Sequence, residues 1–234
     1  MFEKVFNDFI NNYDLTDFDI RLKYNHSYRV YNLSLKYAYL LGFSKRDILI
    51  ASFIGLFHDI GRFNQIVRYH NYSDGDIFDH ATEGVKILFD DGLINKFDFE
   101  VKKKEIIRFS ILNHNKFLMD ECLDEDILKH AKLIRDVDKL DIVYLFGYLY
   151  SIDTSYEEID SSVIDSFKNH IYTKYSGINR NFLTYFGFSF DINYDICIEE
   201  FMNNIKQFYI KNNNGCFNEI YKIIIDYLEK RKIC

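Results

Sequence analysis

Phe57-His58-Asp59-Ile60-Gly61-Arg62 follows directly on Ile48 to Phe57, one of the two longest uncharged apolar stretches in the chain. A histidine and an aspartate therefore stand side by side at the end of a segment whose composition belongs in a core. Burying either without a partner is costly, and metal coordination offers a remedy. His58 follows Ala51 and Ile54 at the spacing of one helix face. Upstream, Ser44-Lys45-Arg46-Asp47 has the form of a capping box, in which hydroxyl and carboxylate satisfy free amides at a helix start. The segment reads as a helix that delivers His58 and Asp59 at its end.

The same punctuation recurs along the chain, and strict strand-like alternation is scarce, so the expected fold class is all-α. Thr16-Asp17-Phe18-Asp19 fits a second capping box, with Gly42 placed to stop a helix from about Asp17 to Leu41. Gly92 does the same for a helix from about Asp79 to Asp91. Further helices are expected from about Phe99 to His114, Asp124 to Tyr150 and Ser155 to Tyr175, the last opened by the box Ser155-Tyr156-Glu157-Glu158. Phe63 to Phe78, with Asn64, Asn71, Ser73, Asp74 and Gly75, reads as a loop.

Four further potential ligands fall on such faces. His26 continues a stripe with Val30, Leu33 and Tyr37, and His114 follows Ile107 and Ile111. Asp138 follows Ile127, Ala131 and Ile134, while His80 opens its helix with Gly84 and Leu88 on its face. Taken singly, such a histidine is more often a hydrogen-bonded core residue, and such an aspartate a solvated one. Four histidines and two aspartates on internal faces, in the order His, His-Asp, His, His, Asp, point instead to one metal centre. Asp136 and Asp141 compete with Asp138 for the last place. Asp138 has the best periodicity, and Asp141 would serve as an acceptor behind the ligands.

Composition sets limits. At 234 residues with 48% hydrophobic and 18% aromatic residues, 19 Tyr and 23 Phe among them, the chain can fill a sizeable core and is not disordered. The formal charge of −7 provides no global basic field, so long duplex nucleic acid is not an expected partner. Cys122, Cys197, Cys216 and Cys234 are widely spaced with no CxxC pair and read as reduced cytosolic thiols. The first residues carry charges of both signs and no long apolar core, which is unlike a signal peptide. No apolar stretch approaches the roughly 20 residues needed to span a bilayer. A soluble, cytoplasmic protein without a membrane partner is expected. Composition is silent on oligomeric state.

The phrase around His58-Asp59 resembles the centre of the HD-domain superfamily of metal-dependent phosphohydrolases, and the likeness extends from about residue 17 to 145. His26-Ser27-Tyr28-Arg29-Val30 resembles the family's first helix, and Arg135-Asp136-Val137-Asp138-Lys139-Leu140-Asp141 its closing motif. Asp79-His80-Ala81-Thr82-Glu83-Gly84 and Leu112-Asn113-His114-Asn115-Lys116 stand where two-metal members carry additional histidines. The resemblance implies an HD-domain helical bundle over residues 1–150, with residues 151–234 as a helical cap packed on it in one structural domain. It implies that His26, His58, Asp59 and Asp138 hold one divalent ion and His80 and His114 a second, with Asp59 bridging. Imidazole and carboxylate donors suit Mn, Fe, Co, Ni or Zn.

The implied activity is hydrolysis of a nucleotide or other small phosphate ester, by phosphatase or phosphodiesterase chemistry, through a metal-activated water. Arg62 and Lys116 are the best-placed cations for phosphate, with Lys139 and Arg68 behind them. His70 is read as solvent-facing, and His130 and His170 are assigned no role. Asn113-His114-Asn115-Lys116 lacks the paired His and Gly-Tyr-Pro motif of the HD-GYP enzymes, so a cyclic dinucleotide is not favoured. Two other readings use the same residues: a di-iron HD-type oxygenase, and a non-catalytic nucleotide-sensing HD module.

Overall fold

The structure, a computed structural model, describes residues 1–154, 158–213 and 215–232. It is all-α, and among the described residues there is no strand and no helix long and apolar enough to cross a membrane. The chain divides into two compact units, Met1–Arg135 and Asp136–Cys234, with the boundary inside a single helix.

The first unit contains α1 (Phe2–Ile10), α2 (Phe18–Leu40), α3 (Lys45–Phe57), α4 (Ile60–Tyr69), α5 (His80–Val85) and α6 (Val101–Asn113), together with the start of α7 (Glu125–Tyr144). The expected boundaries of α2, α3 and α6 hold to within about two residues. Ser44 Oγ accepts from the Asp47 amide at 3.2 Å and donates to its carboxylate at 2.8 Å. Gly42 and Gly92 both take the left-handed conformation that ends a helix, with φ of 71° and 81°. The helix read from Asp79 to Asp91 is α5 followed by a π-helical turn, Lys86–Asp90.

Three expectations are corrected in detail. The cap of α2 is Asp17, whose carboxylate accepts from the Asp19 and Ile20 amides, and Thr16 instead bonds to Asp14. Phe63 to Tyr69, read as loop, is helical: Ile60, Phe63 and Ile66 are buried on one face of α4. Asn64, which suggested a loop, and its neighbour Gln65 both have partners there. Asn64 accepts from the Tyr13 hydroxyl at 2.8 Å and donates to Glu83 at 2.6 Å, and Gln65 donates to the Ser73 carbonyl at 2.9 Å. The loop begins at His70, which is left-handed at φ 51°. Finally, the helix expected from Ser155 to Tyr175 is only α8 (Ser161–Lys168), capped by Asp160 and followed by left-handed His170. Phe167 alone is buried on it, too narrow an apolar stripe for a longer helix. The start of that expected helix, Ser155 to Glu157, lies outside the described residues.

Phenylalanine fills the first unit. Phe53 stacks on Phe57 with centroids 4.4 Å apart, and Phe2, Phe97 and Phe99 meet Phe53 edge-on or nearly so. This cluster lies between α1 and α3, whose last turn leads to His58. The most extensive helix pairing among the described residues is α2 on α3, where Gly55 lets the backbone approach Ser34 and Val30.

The second unit takes the remainder of α7 and a π-helical turn (Leu145–Leu149), then α8, α9 (Arg180–Gly187), α10 (Ile198–Asn212) and α11 (Asn218–Lys232). Its core is again aromatic, with Phe182 stacked on Phe217 at 3.8 Å.

Candidate metal centre

His58 caps the end of α3 and Asp59 precedes the first turn of α4, so the break between two helices presents both side chains inward. His26 comes from the middle of α2, His80 opens α5, and His114 ends α6. All five side chains are at least 95% buried. Three helix ends and one helix middle thus bring four imidazoles to one carboxylate at the head of α4.

The two oxygens of that carboxylate face different histidines. Asp59 Oδ2 is 3.4 Å from His26 Nε2 and 3.7 Å from His58 Nε2. Asp59 Oδ1 is 3.1 Å from His80 Nε2 and 3.5 Å from His114 Nε2. Within each pair the ring nitrogens are close, 3.2 Å between His26 and His58 and 2.9 Å between His80 and His114. Both trios, His26 with His58 and Asp59, and Asp59 with His80 and His114, satisfy the geometry of a metal-binding cluster.

The donor set fits divalent ions. His58 Nδ1 is 2.9 Å from the Gly55 carbonyl and His114 Nδ1 is 2.6 Å from the Ile111 carbonyl. His80 Nδ1 is 2.8 Å from Asp74 Oδ2. Carbonyl and carboxylate oxygens only accept, so these Nδ1 atoms carry the proton and Nε2 is left with a lone pair. The 2.9 Å between the His80 and His114 Nε2 atoms is hydrogen-bond range when one of them carries a proton; with both as lone pairs, a cation beside them would take that proton's place. Burial opposes the charge of Asp59, yet the Lys23 ammonium beside it holds its pKa well below the ordinary carboxylate value. The carboxylate is therefore ionised at neutral pH and ready to serve cations on both sides.

Lys23 was not singled out from the sequence. Its ammonium donates to Asp59 Oδ2 at 2.6 Å and its side chain is 13% exposed. It lies three residues before His26 on α2, and that spacing is the signal that could have found it. Asp74 and Arg135 were missed as well. Arg135 donates to the carbonyls of Asn113 and Lys116, each at 2.7 Å, and so ties down the chain that leaves His114.

The expected cations are placed as follows. Arg62 is 3.7 Å through Nε from Asp59 Oδ1, while its terminal nitrogens donate to Gln65, the Tyr72 carbonyl and both oxygens of Asp74. Lys116 pairs with Asp120 at 2.5 Å in a partly exposed position, and exposed Arg68 is 3.7 Å from Glu83. Lys139 pairs with Asp191 at 2.8 Å. His70 is exposed, and His170 lies against Tyr227. His130 is buried 3.5 Å from Asp47, and burial lowers its pKa to about 4. Of the three competing aspartates, Asp136 accepts from the Asn193 and Tyr194 amides and the Asn193 side chain, each at 2.8 Å. Burial pushes its pKa up to about 6 despite Lys139 and these donors. Asp138 is half-buried and Asp141 buried on α7, in the second unit.

The HD-domain family model matches residues 24–142, about half of the chain, a span that includes all six expected ligands. No curated protein and no solved structure matches the chain.

Proposed function

The chain belongs to the HD-domain superfamily of metal-dependent phosphohydrolases, and from that membership we propose that it hydrolyses a nucleotide or other small phosphate ester, as a phosphatase or phosphodiesterase. The observation that carries this reading is the division of Asp59 between two histidine pairs. One carboxylate with an oxygen toward each pair is the donor arrangement for two neighbouring cations. His26 and His58 would hold one ion and His80 and His114 the other. Asp138, within the family match, is proposed to complete the first. Bound there, two divalent ions supply a nucleophilic water at neutral pH and neutralise charge on a phosphoryl group.

The chain's own residues then have defined tasks. Asp59 stays ionised and shared. His58, His80 and His114 have Nδ1 anchors that leave Nε2 to face an ion. Lys23, beside Asp59, would meet a phosphoryl oxygen once cations take over the carboxylate. Lys116, two residues beyond His114, would be a second phosphate donor on release from Asp120. The terminal nitrogens of Arg62 are taken by Gln65, the Tyr72 carbonyl and Asp74, which favours bracing over direct substrate binding, while its buried Nε makes no hydrogen bond.

The test is elemental analysis after reconstitution with Mn, Fe, Co, Ni and Zn, followed by a panel of phosphate monoesters and diesters in aerobic and anaerobic buffer. Hydrolysis in isotopically labelled water should place one label on the attacked phosphorus, without a phosphoenzyme. Iron- and oxygen-dependent turnover of an organic substrate without hydrolysis would replace the proposal with the oxygenase reading. Nucleotide binding with no turnover under any metal would replace it with the sensing module.

A further inference from the structure

Asp74 lies in the loop between α4 and α5, where sequence reading saw only loop polarity. Its Oδ1 accepts from the His80 backbone amide at 3.2 Å and lies 2.9 Å from His80 Nδ1, while Oδ2 approaches the same nitrogen at 2.8 Å. Both oxygens also accept from Arg62, at 3.2 and 3.1 Å. Arg62 in turn donates to Gln65 at 2.6 Å and to the Tyr72 carbonyl at 2.8 Å, bracing the loop against α4. Burial opposes the charge of Asp74, but the His80 and Arg62 partners hold its pKa well below the ordinary value. His80 is the one histidine of the second pair whose Nδ1 partner is a carboxylate; His114 uses a main-chain carbonyl.

We propose that Asp74 is the positioning residue of the His80/His114 half of the centre, with Arg62 as the strut that aims it. The inference rests on the two-metal reading above. A charged acceptor on Nδ1 fixes the ring so that Nε2 faces Asp59 Oδ1, and makes that nitrogen a stronger donor. Asp74 bonds to His80 and Arg62, whereas in the other half His58 Nδ1 keeps its own anchor on the Gly55 carbonyl. Asp74 therefore separates the two ion affinities.

The experiment titrates Mn(II) and Co(II) into metal-free parent, Asp74→Ala and Asp74→Asn proteins, reading stoichiometry and affinity by calorimetry and the ligand field by Co(II) absorption. Asp74→Ala is expected to weaken one of two sites by about 10- to 100-fold and leave the other unchanged. Asp74→Asn keeps an uncharged acceptor in place and should recover part of that loss, a rescue that a merely structural role would not give. It also stands in should the alanine variant not fold. Arg62→Ala should weaken the same site by a smaller factor. Two sites of parental affinity and unchanged Co(II) spectrum in the Asp74 variants would overturn the inference while leaving the metal reading intact. A uniform loss at both sites would overturn it in favour of a general structural role. A parent chain that binds no metal would overturn both.

Discussion

Gly61, between Asp59 and the body of α4, should be the most sensitive glycine of the first unit. A β-carbon there would collide with the His80 carbonyl, come to 2.7 Å from the Gly84 amide nitrogen and 3.1 Å from Glu83 Cβ. Ordinary contact begins at 3.4 Å, so α5 must retreat by 3.4 − 2.7, or 0.7 Å, at Gly84 and further at His80. Two of the three obstacles are backbone and cannot rotate away. Overpacking of this kind costs about 1–3 kcal/mol, and the upper part of that range applies here. Alanine recovers up to ~1 kcal/mol of helix propensity over glycine, leaving a net loss of about 1–2 kcal/mol for Gly61→Ala. The element pushed away carries His80, so the His80/His114 site should also weaken by at least about tenfold, in line with the sensitivity of ligand positioning. Urea unfolding of the metal-free protein reads the first effect, and Mn(II) titration the second. Gly75→Ala is the control: its β-carbon meets nothing within 4 Å, so its change should stay within about 0.5 kcal/mol. A Gly61→Ala protein with parental urea midpoint and both ion affinities intact would refute the idea that the close approach of α4 and α5 sets His80.

Asp59→Ala should abolish binding of both ions, whereas His26→Ala and His80→Ala should each spare the opposite half, measured as metal equivalents retained after gel filtration. Lys23→Gln should tighten metal binding by about tenfold, because no ammonium then has to leave Asp59, a charge-assisted bond of ~1.5 kcal/mol; weaker binding would count against a competing role for Lys23. His130 provides a stability test, since burial lowers its pKa from 6.5 to about 4 against the pull of Asp47 and so disfavours the protonated form in the fold. The unfolded chain binds the extra proton first, so this contribution is intact above about pH 6.5 and is lost as pH falls toward 4. It amounts to on the order of 2 kcal/mol between pH 7.5 and 5. The difference in urea-derived stability between those pH values should shrink by that amount in His130→Leu, and an unchanged difference would show that His130 is not buried neutral.

Much of the site could be read from one dimension because its parts are local. His58 follows an apolar helix face, Ser44 and Asp47 mark where that helix begins, and Gly42 and Gly92 mark where others end. These signals act within one or two helical turns, so the all-α class, four helix boundaries and the order of five converging side chains were legible before any packing was known. The loop reading of Phe63 to Tyr69 failed for the complementary reason. Asn64 looks like a loop residue until Tyr13 and Glu83 arrive from elsewhere in the chain to satisfy it. Asp74 and Lys23 were hidden in the same way, one among polar loop residues and the other as a charge on a mixed helix. Tertiary structure alone decided that Asp59 Oδ2 turns to His26 and His58 while Oδ1 turns to His80 and His114, because that depends on the crossing of four helices. Periodicity determines which face a side chain occupies; only packing determines what stands opposite.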